Sequence, residues 1–339
     1  MKKLFITLLV LILSVSVFAA GKQEVVEAAE KEILIRLATA GSLTNPLYIS
    51  LNKFGDLVQD EFGDKVKIEI YPSSQLGAEK EMGQGILSGS IQGAVLSSNT
   101  MNMVGNAPEL LIFEQPFLCE SIEQAYTFYN TWGKEKLMAP VYERTGFKLL
   151  SFVCMGATVI ANNVHSIETP SDCERLKIRS WESKIMLTGL KGIGANAIVL
   201  PYSEVIPGLQ QRQIDGLITT DMHVLTDGII DVVKYITDLR IQYGFHGIVV
   251  GLKWFNNLPE DMQRKIEEIG DKVTEFSLEM AQENRIKIYD EFEKKAQVTY
   301  LTKEQRVKFK EKTGLSQQIV IESVGQDLWD EVQKILAGI

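Results

Sequence analysis

One arginine stands where the chain is able to bind an anion. Arg179 follows the short apolar segment 176–178 and precedes a polar stretch that leads into a helix predicted over 183–190. The carboxyl end of a strand in an open α/β sheet is where such sheets bind ligands, and a guanidinium can donate two parallel hydrogen bonds to one carboxylate. This pattern indicates a carboxylate-binding site, with a salt bridge between two parts of the chain as the alternative.

The histidines do not form a catalytic or metal-binding pattern. His165, His223 and His246 are far apart and lack the spacing of ligands on one helix face, so we expect each to be structural or to lie on the surface. His246, in an aromatic and flexible stretch, is also a candidate ligand contact. The segment 192–197 has the glycine spacing of a dinucleotide site, but a predicted helix precedes it and a strand follows, the reverse of the required order. No catalytic residue, metal or cofactor is therefore predicted.

The cysteines and the paired acids indicate no chemistry either. Cys119, Cys154 and Cys173 contain no Cys-x-x-Cys spacing, so neither zinc nor redox chemistry is indicated, and at most one disulfide can form. Cys154 lies in an apolar run and is expected to be buried. Glu79 and Glu81 lie on a predicted solvated helix and are interpreted as surface charge. These residues do not predict an enzyme.

The first twenty residues have the pattern of an export signal. Lys2 and Lys3 precede the apolar run 4–20, which is shorter than the roughly 20 residues that cross a bilayer and ends in small residues. We predict a cleavable signal peptide at 1–20 and a linker at 21–31, with an uncleaved anchor as the alternative. Without residues 1–20 the chain has 33 basic and 44 acidic residues, and this balance disfavours nucleic-acid binding.

Strand-like and helix-like segments alternate along the rest of the chain. This alternation predicts a three-layer α/β fold with a mostly parallel sheet, built as two α/β units. The segment 259–294 repeats apolar residues at helical spacing without an internal proline, which predicts a helix of about 54 Å that can bridge both units. The predicted strands cover 33–38, 66–71, 94–96, 147–153, 158–161, 176–178, 197–200 and 215–218.

Several motifs in a fixed order resemble those of one transport family. Arg179 lies within Lys-Ile-Arg-Ser-Trp-Glu-Ser, and Pro-Tyr-Ser-Glu-Val follows at 201–205. With further motifs over about residues 32–330, the chain resembles the DctP-type solute-binding proteins of TRAP (tripartite ATP-independent periplasmic) transporters. The other motifs are Asn-Pro (45–46), Tyr-Pro-Ser-Ser-Gln-Leu-Gly (71–77), Gln-Pro-Phe-Leu (115–118), Gly-Ala-Asn-Ala (194–197), Leu-Gln-Gln (209–211), Ile-Asp-Gly (214–216) and Leu-Pro-Glu-Asp-Met (258–262).

The resemblance implies a two-lobed α/β periplasmic-binding-protein fold, class II-like and of the TRAP type, with a long helix spanning both lobes. We assign 32–156 and 245–284 to lobe I, and 157–244 and 285–339 to lobe II. The resemblance further implies closure around one small-molecule organic acid and no enzymatic activity. It also implies a location in the periplasm and delivery of the ligand to small and large membrane subunits.

The resemblance also assigns ligand-binding roles to individual residues. Arg179 matches the arginine that pairs with the substrate carboxylate, and Tyr202 matches an aromatic position that lines the cleft. Asn45, Ser97 and Ser98 fall on loops of lobe I that face the cleft, with ordinary loop capping as the alternative.

Two positions depart from the family pattern. Thr158 stands where the family often has an arginine, and Thr219 where an asparagine commonly contacts the ligand. A dicarboxylate or a sialic-acid-like sugar acid would therefore lack a partner for its second polar group. We predict a monocarboxylate with an apolar body that packs on Tyr202 and Trp181, although Trp181 alternatively packs between the lobes. The alternative function is a TRAP-like protein that handles lipid-like or other hydrophobic ligands with a periplasmic helical-repeat (TPR-type) partner.

Overall fold

The computed structural model describes residues 32–339, and the predicted signal peptide and linker lie outside the described residues. The strands are β1 (Ile33–Ala38), β2 (Val66–Tyr71), β3 (Gly93–Ser97), β4 (Phe147–Asn162), β5 (Lys177–Ser180), β6 (Asn196–Val199), β7 (Gly216–Thr220), β8 (Tyr235–Asp238), β9 (Tyr243–Gly251) and β10 (Gln297–Tyr300). The α-helices are α1 (Pro46–Phe62), α2 (Glu79–Ser88), α3 (Ser98–Gly105), α4 (Ile122–Phe128), α5 (Tyr142–Thr145), α6 (Lys184–Gly192), α7 (Val205–Gln210), α8 (Asp221–Thr226), α9 (Leu252–Asn256), α10 (Glu260–Lys295), α11 (Lys303–Lys312), α12 (Gly314–Val324) and α13 (Gln326–Ala337).

Two halves of one sheet share the strand β4. The first sheet half has the order β2-β1-β3-β9-β4, and the second has the order β4-β7-β5-β6. The N-terminal part of β4 pairs with β9, whereas its last residues, 158–162, pair with β7. β8 pairs with the same end of β4, and β10 pairs with β8. The chain thus folds into two α/β units, as the alternation of elements predicts.

The sheet is mixed: within residues 32–339, five strand pairs are parallel and four are antiparallel, so the parallel pairs form only a small majority of the sheet that is predicted to be mostly parallel. β1, β2 and β3 are parallel to one another, as are β5, β6 and β7, but β4 and β9 run antiparallel to their neighbours. β4 is one strand of 16 residues where two strands, 147–153 and 158–161, are predicted. Only Lys148 along β4 is not buried, so no alternation of polar and apolar residues marks the strand.

A glycine lets β4 pass from one sheet half to the other. Gly156 lies between Cys154 and Ala157, where the pairing of β4 with β9 shifts register, and its φ is 78°. Residues with a β-carbon rarely adopt this conformation. A β-carbon at this position would also collide with Oδ1 of the buried Asp221. The bulge in β4 therefore requires glycine.

The long helix is present nearly as predicted. α10 has 36 residues, begins after Pro259 and packs along β4. Glu260 and Asp261 lie in its first turn and two lysines in its last, a distribution that stabilises the helix dipole. Gly270 allows the close approach, because a β-carbon there would collide with the carbonyl oxygen of Leu150.

One large apolar cluster spans both sheet halves, and each half also has a smaller core of its own. α1 and α10 cover the first half with residues such as Leu51, Phe54 and Val273, and α6 and α11 cover the second with Met186 and Phe309. None of the helices within residues 32–339 is both long and apolar enough to cross a membrane.

Loops at the carboxyl ends of parallel strands join the two sheet halves. Ser42, after β1, contacts Asp227, after α8, and Asn99, after β3, contacts the backbone of Glu182, after β5. We call the space that these loops enclose the cleft. In open α/β sheets this is where ligands bind.

Candidate ligand-binding site

Arg179 lies on β5 and is only 4% exposed. Its Nε donates a 2.9 Å hydrogen bond to the carbonyl oxygen of Leu200, which follows β6. This bond uses one of the five guanidinium donors and sets the direction of the group. The ion pairs formed among residues 32–339 do not include Arg179, which argues against the alternative of a salt bridge.

The buried guanidinium remains charged at neutral pH. Burial lowers the pKa of Arg179 to about 10, while the neighbouring Tyr202 and Glu79 act in the opposite direction. A desolvated cation without a counter-ion raises the free energy of the protein, and an anionic ligand offsets that cost. Arg179 is therefore equipped to bind a carboxylate.

Tyr202 covers this cation. The Cζ atom of Arg179 lies 5.6 Å from the centre of the Tyr202 ring, within the range of a cation–π contact. The Tyr202 hydroxyl donates a 2.6 Å hydrogen bond to Oδ2 of Asp227. Burial, reinforced by the charge of Asp227, raises the pKa of Tyr202 well above its usual value, so the hydroxyl keeps its proton.

Thr219 and His223 continue the wall beside Tyr202. Thr219 is the second-to-last residue of β7, and His223 lies four residues later on α8. The distance between Thr219 Oγ1 and His223 Nδ1 is 3.2 Å. The His223 ring centre is 5.0 Å from that of Tyr202. Burial lowers the pKa of His223 to about 4, so the imidazole is neutral at neutral pH. The structure thus brings Thr219 next to Tyr202 through His223.

The first sheet half contributes a polar wall around Glu79. Glu79 Oε2 accepts hydrogen bonds of 2.7 Å from Ser97 Oγ and 2.8 Å from Thr100 Oγ1, and Oε1 is 3.4 Å from His246 Nε2. Burial raises the pKa of Glu79, but the contacts with His246 and Ser97 outweigh it and lower the pKa to about 2. The interpretation of Glu79 as surface charge is therefore wrong, because α2 presents this carboxylate to β3 and β9.

His246 lies on a strand and not in a flexible segment. It pairs with Ser97 in the register of β3 with β9. Its Nδ1 is buried and has no hydrogen-bond partner within residues 32–339. Buried polar atoms usually have a hydrogen-bond partner, so this unpartnered nitrogen is unusual.

Asn45 both caps a helix and makes a contact across the cleft, whereas Ser97 and Ser98 bond to residues that precede β4. Asn45 Oδ1 caps α1 by accepting the backbone N–H of Leu47, while its Nδ2 donates a 2.7 Å hydrogen bond to Asp227. Ser97 caps α3, and Ser98 Oγ donates a 2.8 Å hydrogen bond to Glu114 Oε1.

Trp181 and Thr158 form hydrogen bonds with residues outside the Arg179 cluster. Trp181 Nε1 donates a 2.9 Å hydrogen bond to Oε2 of the buried Glu114. The buried Thr158 Oγ1 accepts a 2.9 Å hydrogen bond from the backbone N–H of Gln242. Of the predicted site residues, Arg179, Tyr202 and Thr219 form one cluster, and Asn45 joins it through Asp227.

A pocket of about 220 Å³ adjoins Tyr202 and Asp227. Ser73 and Ser74 in its wall have φ values of 52° and 56°, a left-handed conformation that is costly for serine. The lining residues are Ala40, Ser42, Ser73, Ser74, Tyr202, Ser203, Val205, Ile206, Asp227 and Ile229.

Reasoning from the sequence missed three residues of this cluster. Asp227 belongs to none of the motifs. For Glu79, the sequence offers one indication, namely that it lies two residues after the 71–77 motif. His223 lies four residues after Thr219, across the junction of β7 and α8, and this short separation in sequence is the signal for its proximity. No group of His, Cys, Asp and Glu in the described part of the chain could hold a metal ion.

A buried cation outside the ion pairs of residues 32–339, beside a cleft between two α/β units that share a crossing strand, is an arrangement that can bind a small anion. The family described as bacterial extracellular solute-binding protein, family 7 (DctP), matches residues 37–321. The chain therefore belongs to the DctP family of TRAP transporter solute-binding proteins, which are transport proteins and not enzymes. Members of this family are periplasmic and work with TRAP membrane components.

Curated relatives match most of the chain. The 2,3-diketo-L-gulonate-binding periplasmic protein of Escherichia coli is 27% identical over 280 residues, which cover 83% of this chain and 84% of the relative. The C4-dicarboxylate-binding periplasmic protein DctP of Rhodobacter capsulatus is 24% identical over 263 residues, covering 77% of this chain and 78% of the relative.

Solved structures share the fold. The sugar acid binding protein DctPAm from Advenella mimigardefordensis, in complex with galactonate, has a TM-score of 0.85 and 22% identity, and covers 91% of this chain and 99% of its own. A TRAP periplasmic solute binding protein from Sulfurospirillum deleyianum with bound succinate has a TM-score of 0.82 and 22% identity, covering 90% of this chain and 99% of its own. The two-lobed TRAP-type fold with its long helix is thereby confirmed.

Proposed function

We propose that this protein captures an organic acid in the cleft and that Arg179 holds the carboxylate. The observation that carries the proposal is the guanidinium of Arg179, which is buried, charged and outside the ion pairs of residues 32–339. A carboxylate can accept two parallel hydrogen bonds from its Nη groups while Nε stays bonded to Leu200. The names of the relatives support the class, because diketogulonate, C4-dicarboxylates and galactonate all carry a carboxylate.

We further propose that the ligand has a single carboxylate and an apolar body. Glu79 acts electrostatically on Arg179 and has a pKa of about 2, so it is ionised at neutral pH and repels a second carboxylate held near Arg179. Thr158 and Thr219 supply no cation that could offset this repulsion. The pocket beside Tyr202 offers apolar surface from Val205 and Ile206. The body of the ligand lies against the Tyr202 ring and points towards this pocket.

In the transport cycle that we propose, the two lobes move as rigid bodies and close over the cleft between them. Lobe I comprises 32–156 and 245–284, and lobe II comprises 157–244 and 285–339. The chain crosses between them on β4, on β9 and on α10. Closure encloses the acid, and the closed form delivers it to the small and large membrane subunits. Export by the signal peptide at 1–20 belongs to the same proposal.

The alternative function, work with a TPR-type partner on hydrophobic ligands, remains a prediction from the sequence. A gene for a helical-repeat protein beside the gene for this chain would favour it. Permease genes alone would favour the transport of an acid.

Mass spectrometry of small molecules released from the purified protein identifies the ligand class. Calorimetric titration of the recovered acid into the wild type and Arg179→Ala then tests the site. We expect the variant to lose about 2 to 5 kcal/mol of binding free energy, as is typical for a buried charge pair that loses one partner. Arg264→Ala is the matched control, because Arg264 is exposed on α10. Unchanged affinity of Arg179→Ala refutes the assignment, and release of a dicarboxylate refutes the single carboxylate.

A further inference from the structure

We infer that Asp227 is a positioning residue that couples closure of the cleft to the placement of Tyr202 against Arg179. The inference deepens the proposed function and rests on it for the identity of the ligand. The contacts that carry it are made by the protein alone. They join loops on opposite sides of the cleft to the aromatic cover of the carboxylate site.

Asp227 receives three hydrogen bonds, from both sides of the cleft. Oδ1 accepts a 2.8 Å bond from Ser42 Oγ, and Oδ2 accepts bonds of 2.7 Å from Asn45 Nδ2 and 2.6 Å from the Tyr202 hydroxyl. Ser42 and Asn45 follow β1 of the first sheet half, whereas Tyr202 follows β6 of the second. One carboxylate thus joins the two sheet halves to each other and to the residue that covers Arg179.

The chemistry of the donors fixes the direction of these bonds. Asn45 Oδ1 is occupied by the backbone N–H of Leu47 at the start of α1, so the amide hydrogens of Asn45 face Asp227. A carboxylate oxygen accepts and does not donate, so the Tyr202 hydroxyl must donate. Bonds from neutral donors to a carboxylate are charge-assisted and stronger than neutral pairs.

Opening the cleft breaks two of the three bonds. Ser42 and Asn45 move away with α1, while Tyr202 stays on the same side as Asp227. We call the state in which the loops meet across the cleft the contacted state. In this state Asp227 accepts hydrogen bonds from all three donors, and the Tyr202 ring is held most firmly over Arg179. A ligand between Arg179 and Tyr202 stabilises the same state, so by linkage the ligand and the Asp227 contacts stabilise each other.

A second contact across the cleft provides an internal control. Asn99 Nδ2 donates a 2.7 Å hydrogen bond to the backbone carbonyl oxygen of Glu182. This bond joins the two sheet halves without involving Asp227 or Tyr202. Its removal weakens the contacted state but leaves the Asp227 network complete.

Electron spin–spin distance measurements test the Asp227 contacts without any ligand. Labels are attached at Lys53→Cys on α1 and Gln211→Cys after α7, two exposed positions on opposite sheet halves, while the native thiols are buried. We expect the parent protein to show a short-distance population, and the ratio of the short-distance to the long-distance population to fall about tenfold in Asp227→Asn and in Ser42→Ala. Asn45→Asp keeps the helix cap but replaces the donor with a second carboxylate, and we expect the same fall. Equal populations in the parent and these variants, or no short-distance population in any of them, overturn the inference.

A double-mutant cycle on the same populations tests the coupling to Tyr202. Ser42→Ala and Tyr202→Phe should combine non-additively, because both act on Asp227, whereas Asn99→Ala and Tyr202→Phe should combine additively. Additive behaviour of the first pair, or equal coupling in both pairs, overturns the inference. Matching melting temperatures confirm that the variants are folded.

The failure of this inference can be told apart from the failure of the proposed function. The probe is 4-methylpentanoate, a monocarboxylate with an apolar body. The proposed function predicts that adding it increases the short-distance population of the parent protein and does not change that of Arg179→Ala. A response of the parent that is lost in Arg179→Ala, together with unchanged populations in Asp227→Asn and Ser42→Ala, refutes only the role of Asp227. A fall in the acid-free population of these two variants supports that role whether or not the probe binds.

Discussion

The guanidinium carbon of Arg179 lies 5.6 Å from the centre of the Tyr202 ring, and the Arg179 side chain is 4% exposed. The ring shields one side of the cation from water, and the bond from Nε to Leu200 sets the plane of the guanidinium. The carboxylate binding that we propose for this site therefore depends on the shape of the side chain as well as on its charge.

Arg179→Lys separates shape from charge. A lysine keeps the positive charge but offers a compact ammonium without the planar pair of donors. We expect the variant to fold and to bind the acid at least about tenfold more weakly than the wild type, because hydrogen bonds to charged groups contribute about 1.5 to 3 kcal/mol each. Calorimetric titration measures the affinity, and circular dichroism checks the fold. Wild-type affinity in Arg179→Lys would show that a point charge is sufficient.

Gly156→Ala should destabilise the fold where β4 changes from one sheet half to the other. A left-handed backbone costs a residue with a β-carbon roughly 1–2 kcal/mol, and the collision with Asp221 adds to that cost. Urea unfolding should show a loss of more than about 1 kcal/mol. Gly314→Ala, at the start of α12 with open space around it, is the matched control and should be neutral or slightly stabilising. A neutral Gly156→Ala would contradict the argument.

The stability of the protein should depend on pH through Asp221. Burial raises the pKa of Asp221 to about 7, with the charge of Asp238 acting in the same direction and that of Arg285 against it. The folded state therefore favours the protonated carboxyl, and this stability is complete below the ordinary pKa of 3.8 and lost as the pH rises through about 7.

Asp221→Asn isolates this effect. His223, whose pKa is lowered to about 4, acts in the opposite direction over an overlapping range, but it is common to both proteins and cancels in the comparison. Between pH 4.5 and pH 8 the variant should gain on the order of 3 kcal/mol in unfolding free energy relative to the wild type. Urea unfolding at both pH values measures the difference. Parallel stability curves for the two proteins would refute the assigned pKa.

The three cysteines should be unreactive in the folded protein. Cys119, Cys154 and Cys173 are buried and free, and burial raises the pKa of each thiol to about 12. At pH 8 the reactive thiolate is then about one part in ten thousand of each thiol. A chromogenic disulfide reagent should detect no thiol in native buffer and three per chain in denaturing urea. Rapid reaction of a native thiol would contradict the structure.

Local features of the sequence were sufficient for much of the fold. The extent of α10 follows from apolar residues at helical spacing without an internal proline, and Arg179 is marked by the short strand that contains it and the helix after it. Gly194, with a φ of 95°, lies in a turn between α6 and β6, as the order of elements in that segment predicts. Each of these features depends on contacts between residues close in the chain.

The features that the sequence did not reveal depend on distant contacts. β4 and β9 are buried between neighbours, so their sequences lack the alternation that marks a strand with one exposed face. Glu79 contacts both Ser97 and His246 because β3 lies next to β9, which sets these two residues opposite each other. The sequence by itself thus determined the family, the long helix and the arginine. Only the tertiary structure decided that Asp227 meets Ser42, 185 residues away, since the order of strands in a sheet is set by packing over the whole chain.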